Sequence, residues 1–430
     1  MSQFQQHALQ LASQQRPLDW LNDFRSRAAT QWEKTLWPTK KTEAWMYTPL
    51  TNLQKNTDFI WAKNNSPLAS ENDFIPIDAI RLVFVNGIFD AMASSELPAE
   101  VVRFSQASAE QQNIIKQHLG SVIEGDRHLF SELNNAWLDE GVLIHLKAEQ
   151  QLSKPVYLVQ VLQGKKSHAI NHRLLVVLEK NSRAEIIEHF ISSGENQSHF
   201  VNAVTEVVLQ DNACLHHYNL HLEDEQQQHI GAVHVNLGRS AKLRAFTLAL
   251  GSQLARIDYQ CHHRGQGAEL DLQGIYLPRN QQVVDYHTNI QHWVPHCTSN
   301  EVFRGIISDE AKAIFNGRIH IHPQAQKTLA ELSNKNLLTS NKAEINTKPE
   351  LEIYADDVKC AHGATVSQLN TNALYYLQSR GVSRADAQVM MSFGFINELL
   401  QAVEQESVRH YLSPRLATLF GRDQALDWVE

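Results

Sequence analysis

Two hydrophobic rhythms run along the chain. In its first third, apolar residues recur every three to four positions in QHALQLASQQ (6–15), LDWLNDFRSRAATQWEKTLW (18–37), AEQQNIIKQHLGSVI (109–123) and RHLFSELNNAWLDEG (127–141). That spacing puts them on one face of a helix, and Gly141 supplies a stop for the last. Among these helices, AIRLVFVNGIFDAM sets Asn86-Gly87 between two apolar runs. This predicts a β-hairpin near 80–90.

From Lys154 the rhythm shifts to alternation. KPVYLVQVLQG, HRLLVVLEKNSRAEIIEHFI, VNAVTEVVLQDNACLHHYNLHL and GAVHVNLGRSAKLRAFTLAL are short β-rich runs broken by Asn, Asp, Gly and Ser. A small residue followed by an alternating strand recurs at Ala184, Ala213, Ala241 and Ala268, at intervals of 29, 28 and 27 residues. The pattern returns at Ala343-Glu344-Ile345. So regular a period favours stacked units that bury their apolar faces on one another, a β-helix or related solenoid. A β-sandwich is the competing reading.

After Val366 the helical rhythm resumes. ALYYLQSRG ends at Gly381, and SRADAQVMMSFGFINELLQAV opens with Ser383 as N-cap and Asp386 three residues on. Val389, Phe393, Ile396 and Leu400 share one face of that helix, and ESVRHYLSPRLATLFG follows. The expected organisation is a mainly helical segment at 1–152, a β-helix core at 153–367 and helices at 368–430. The last segment either caps the solenoid or docks another protein.

Composition narrows the function. With 43% hydrophobic and 20% charged residues, the 430-residue chain can bury a large core. A net charge of −9 argues against non-specific nucleic-acid binding. MSQFQQHALQLASQQ lacks the basic start and apolar core of a signal peptide, and no run approaches the ~18 apolar residues of a membrane helix. Four cysteines without a CxxC pair point to a reducing, cytoplasmic setting. No G-x-x-x-x-G-K-[S/T] phosphate loop, G-x-S-x-G elbow or H-E-x-x-H helix is present, and GQGAEL lacks the third glycine of a dinucleotide loop.

The chemistry concentrates in YADDVKCAHGATV (354–366), where Cys360 and His362 stand two residues apart. On a strand both side chains point to one face. Thiolate and imidazole are ligands of soft and borderline metals, including the iron of Fe–S clusters. Lys359 could favour the thiolate but, as the adjacent residue, points away. Two ligands do not complete a site, so the rest come from distant strands or from another chain. The plainer reading is a structural cysteine beside a surface histidine. The 22 histidines include His216-His217, His262-His263, His320 and His322, a weaker signal.

The segment TKPELEIYADDVKCAHGATV closely resembles the C-terminal core motif of the SufB/SufD family, subunits of the Suf iron–sulfur cluster assembly scaffold, in its SufD form. The resemblance covers nearly the whole chain in order: PTKKTEAWMYTPL (38–50), RLVFVNGIF, SDEAKAIFNGRIHI, LSNKNLLTSNKAEINTKPELEI and YYLQSRGVSRADAQVMMSFGF. It implies a mainly β fold, a right-handed parallel β-helix core flanked by helical domains, in a scaffold subunit without its own ATPase site. It implies two partners, SufB through the β-helices and the ATPase SufC through the C-terminal helices. No stably bound cofactor is implied, only transient iron or an Fe–S cluster at the interface with SufB.

His362 matches the family histidine that acts there together with a SufB cysteine, and Cys360 matches the neighbouring cysteine. Tyr375, Tyr376, Met390, Met391 and Phe393 become the apolar candidates for contact with SufC. Glu331 and Ser333 depart from the amide- and methionine-rich pattern expected around the Asn-x-Asn-Leu-Leu. The alternatives are a SufB-like subunit carrying the nascent cluster itself, and a β-solenoid enzyme acting on polysaccharide, for which no acidic groove is evident. Iron entry through the histidine pairs and Asp356-Asp357 is a further reading. Open edge strands also allow a homodimer when SufB is missing.

Overall fold

The computed structural model describes residues 2–14, 17–48, 50–55, 57–62, 67–123, 129–194 and 198–420. The first helices are α1 (Gln3–Ala12), α2 (Asn22–Lys34) and α3 (Thr51–Lys55). A reciprocal cap fixes the start of α1: the Ser2 hydroxyl accepts from the Gln5 amide, and the Gln5 side chain accepts from the Ser2 amide. Strands β1 (Ile80–Val85) and β2 (Ile88–Phe89) form the predicted hairpin. Asn86 and Gly87 turn it at φ 51° and 83°, conformations that favour this dipeptide. Then come β3 (Val101–Arg103), α4 (Ala109–His118), α5 (Leu129–Trp137) and β4 (Val142–Leu146).

The solenoid strands follow. They are β5 (Val156–Gln163), β6 (Ala169–Leu178), β7 (Arg183–Ser193), β8 (Phe200–Leu209), β9 (Cys214–Leu222), β10 (Gln228–Leu237), β11 (Lys242–Ala249) and β12 (Leu254–His263), then β13 (Glu269–Tyr276), β14 (Val283–His292), β15 (Thr298–Ile307), β16 (Lys312–Ile321), β17 (Leu329–Leu338), β18 (Glu344–Ile353) and β19 (Lys359–Gln368). The chain closes with α6 (Thr371–Ser379), α7 (Arg384–Gln401) and α8 (Glu406–Leu419). Odd-numbered strands from β5 to β19 stack in a ten-stranded sheet and even-numbered ones in a nine-stranded sheet. Their pairings with one another are parallel, so each coil gives one strand to each sheet, in a parallel solenoid of about seven turns.

One corner recurs. Asn181, Asn212, Ser240, Gly267, His296 and Lys327, each two residues before an odd strand, are left-handed, with φ between 54° and 73°. A small buried residue follows each: Ser182, Ala213, Ala241, Ala268, Cys297 and Thr328. This stack corrects the sequence alignment at two places. Ala184 pairs with Leu215, so the position equivalent to Ala213 is Ser182. Ala343 stands one residue before β18, a strand of the other sheet. The left-handed corner, not the alanine, sets the register.

Inward-facing side chains of both sheets form the central core. The outer face of the odd sheet is covered by α7 and α8 through Phe393, Ile396, Leu400, Tyr411 and Leu412. The N-terminal helices cover the even sheet with an aromatic cluster that includes Phe4, Trp32, Phe130 and Trp137 against Phe200. Strands β1 and β4 pair in parallel with β5 and β6. Both sheets therefore extend back across residue 153 into the N-terminal segment.

The N-terminal motif has a visible structural job. The buried Arg256 guanidinium bonds Asp258 at 3.0 Å and Asp285 at 2.9 Å, and donates to the Ala44 carbonyl at 2.5 Å. Trp45 lies 3.9 Å from the guanidinium, and the Thr48 hydroxyl donates to Asp285. These contacts clamp residues 44–48 to the even sheet.

Candidate functional site

Cys360 and His362 lie on β19, the edge strand of the odd sheet. Their register partners on β17 are Ala330 and Leu332, both buried in the central core. Alternation thus places both side chains on the inward row, as the two-residue spacing predicts. Among the described residues no further strand stacks on β18 and β19, so this row emerges at the open end of the solenoid. Cys360 still packs partly against the core, whereas His362 is exposed. Burial pushes the Cys360 thiol up from its ordinary value, against the thiolate expectation. Among the described residues, Cys360 and His362 belong to no group of three side chains close enough to share a metal ion.

The end around them is apolar and uncovered. Ile353, Tyr354 and Val366 are 43%, 60% and 49% exposed on the last coil or just after it. Edge strands of this kind offer unpaired backbone groups to another chain.

Beside Leu332, beneath Ala364 and Val366, the lumen is polar, which sequence reasoning missed. Asn334 donates to the Tyr276 hydroxyl at 2.8 Å, and that hydroxyl donates to Asn336 Oδ1 at 2.5 Å. Asn336 Nδ2 reaches Asn334 Oδ1 at 2.6 Å, and the Thr347 hydroxyl donates to Asn334 Oδ1 at 2.8 Å. Asn334 and Asn336 are the register partners of Ala364 and Val366. The departures noted at Glu331 and Ser333 fall on the opposite, outward parity of β17. Deeper in the lumen, Glu188 accepts from His172 and His217 at 2.7 Å each and from Thr205 at 2.9 Å. Burial pushes the Glu188 carboxyl up, but the two imidazole donors outweigh it and hold it well below the usual carboxylate range. Alternation is the signal that could have found these residues: Asn334 and Asn336 share a face, as do His217, Asn219 and His221.

The proposed SufC contacts separate by burial. Tyr375 and Tyr376 on α6 are 77% and 59% exposed. Met390 and Met391 on α7 are half-buried. Phe393 is not available: it is 2% exposed and packs against the odd sheet. Its place on the apolar face of α7 explains this correction, since that face is the one the helix buries. Ser383 caps α7 as expected, accepting from the Asp386 amide at 3.1 Å. Among the described residues no helix is long and apolar enough to cross a membrane.

Comparison with known proteins agrees with this architecture. The SufBD core domain of SUF system FeS cluster assembly matches residues 160–395, and the SufBD N-terminal region matches residues 1–158. An iron–sulfur cluster assembly SufBD family protein of Synechocystis is 32% identical over 387 residues, covering 86% of this chain and 85% of its own. Iron–sulfur cluster assembly protein SufD of Escherichia coli is 31% identical over 382 residues, 88% of each chain. The chloroplastic protein ABCI7 of Arabidopsis thaliana is 26% identical over 90% of this chain and 84% of its own. The chain therefore belongs to the SufBD family of iron–sulfur cluster assembly proteins.

Proposed function

We infer that this chain is a SufD-type scaffold subunit that works without an ATPase site of its own. It pairs with a SufB-type chain through the open end of the solenoid and holds a SufC-type ATPase with its C-terminal helices, in the cytoplasm. The observation that carries this reading is His362, an exposed imidazole on the inward row of the last strand, beside Cys360 and without a third ligand from its own chain among the described residues. An incomplete ligand pair on an uncovered edge is what a shared site requires. A second chain seated on β18 and β19 would bury the exposed apolar residues and bring the missing ligands. The iron or cluster is cargo at that interface, and His362 serves as ligand or proton carrier.

Tyr375 and Tyr376 are the exposed aromatic pair best placed to meet the ATPase. Its nucleotide-driven motion would pass through α7 and α8 to the outer face of the odd sheet, where those helices are packed. The test is anaerobic co-expression of the tagged chain with SufB and SufC from the same organism, read by native mass. A stable assembly of all three is expected. Purification of the chain free of both partners would sink the reading.

A further inference from the structure

Well away from the open end, His221, Glu223 and His229 meet at the turn between β9 and β10. One potential ligand atom from each lies within 4.8 Å of the other two, and all three residues are buried. His221 sits on β9, in the odd sheet, five strands from β19. At strand spacing that is about 24 Å from the edge. We propose that His221, Glu223 and His229 form an internal site for a divalent first-row transition-metal ion.

Hydrogen bonding explains neither ring nitrogen of His221 and only one of His229. Neither ring nitrogen of His221 has a hydrogen-bond partner, nor does Nε2 of His229. A buried imidazole without partners loses its hydration and regains nothing, and such groups are rare unless an ion or water answers them. The rings are nevertheless held in place. Phe190 stacks on His221 with ring centroids 5.2 Å apart and planes 5° from parallel. His229 stands edge-on to His221 at 4.5 Å, and its Nδ1 is 2.6 Å from Glu223 Oε1. That contact sets an imidazole nitrogen and a carboxylate oxygen side by side, within reach of one ion.

The neighbouring coil leaves the position uncrowded. Phe190 covers His221 on one side, but the register partners on the other are Ala249 for His221 and Ala255 for His229. At Gly231 any Cβ would approach His229 Nε2 to 2.8 Å, so glycine there preserves the ring position. Two imidazoles and one carboxylate suit borderline divalent ions such as Fe²⁺ or Zn²⁺ and leave further positions for water or cargo. The site uses only this chain and does not depend on the partner reading above.

The test uses the full chain, expressed in cobalt-supplemented medium so that Co²⁺ is present while the solenoid folds. Metal content and visible d–d absorption are read on the purified protein. Wild type should carry one equivalent of Co²⁺ with imidazole-ligand bands. Glu223→Gln and His221→Leu should lower affinity tenfold or more, while the double variant Cys360→Ala/His362→Ala retains it. His221→Leu guards against misfolding, because it removes a ring with no hydrogen bonds and should leave the metal-free melting temperature unchanged or higher. A folded wild type without stoichiometric Co²⁺ overturns the proposal. So does binding that survives His221→Leu and Glu223→Gln but disappears in the Cys360/His362 double variant.

Discussion

Leu332 and His362 are register partners on the last two strands of the odd sheet, and one step separates the closed core from solvent. Leu332 is 3% exposed inside the lumen, whereas His362, in the same row, is exposed. The solenoid thus presents its interior chemistry at one end, where another chain can complete it.

His362→Ala should leave folding intact, with a stability change within about 0.5 kcal/mol, because an exposed side chain is removed. In the complete assembly, cluster formation followed by visible absorbance should fall about tenfold or more, as when a metal site loses a supporting group. Cys360→Ala should do less damage, since its thiol is shielded and protonated. Wild-type cluster yield from the His362 variant would refute the role assigned to it.

Tyr375→Ala/Tyr376→Ala and Phe393→Ala should fail in different ways. The tyrosine pair is exposed, so the double variant should fold normally and lose capture of the SufC-type subunit. Phe393→Ala opens a cavity between α7 and the odd sheet and should cost about 3–5 kcal/mol. Urea unfolding and pull-down, measured on both variants, separate the two effects. Undiminished capture by the double tyrosine variant would move the ATPase contact elsewhere.

Glu301 stands in the same inward column as Leu332 and His362, one coil below Leu332. Burial pushes its carboxyl up to about 8 from 4.5, with a smaller opposing effect from the Thr288 hydroxyl. The folded protein therefore holds a proton that the unfolded chain releases. The stability tied to that proton is complete below about pH 4.5, declines as pH rises towards 8, and levels off above. Glu301→Gln keeps the shape without the titration. It should be more stable than wild type at pH 8 by up to a few kcal/mol, because each tenfold change in proton affinity on folding is worth about 1.4 kcal/mol. The gap should close towards about pH 5. A gap that stays constant with pH would show that the carboxyl does not titrate in this way.

Arg256→Met should cost about 3–5 kcal/mol, because the buried Asp285 and the half-buried Asp258 would lose their shared guanidinium. Burial raises the Asp285 carboxyl, but His287 and Arg256 outweigh it and hold it below its ordinary value. Its stabilising contribution is present above the unfolded value of 3.8 and is lost as pH falls through the lower folded value. Chemical melts followed by Trp45 fluorescence should show residues 44–48 loosening first. A variant melt that overlays wild type would remove the clamp from the account of the N-terminal motif.

Local patterning alone determined much of this protein. Alternating runs with a near-constant period announced stacked strands, Asn86-Gly87 marked the hairpin, and Ser383 with Gly381 marked helix ends. These signals are short-range, written within a few residues of the structures they specify. The two-residue spacing of Cys360 and His362 likewise placed both on one face. Tertiary structure decided what depends on contacts between coils. The left-handed corners at Asn181 and Asn212 made Ser182, not Ala184, the partner of Ala213, and packing of α7 on the odd sheet consumed Phe393. The joining of His221 and Glu223 with His229 requires the turn after β9 to carry the chain over to β10 in the other sheet. Separation along the chain carries no record of which rows face each other across the lumen, because that pairing is set by how the whole coil closes.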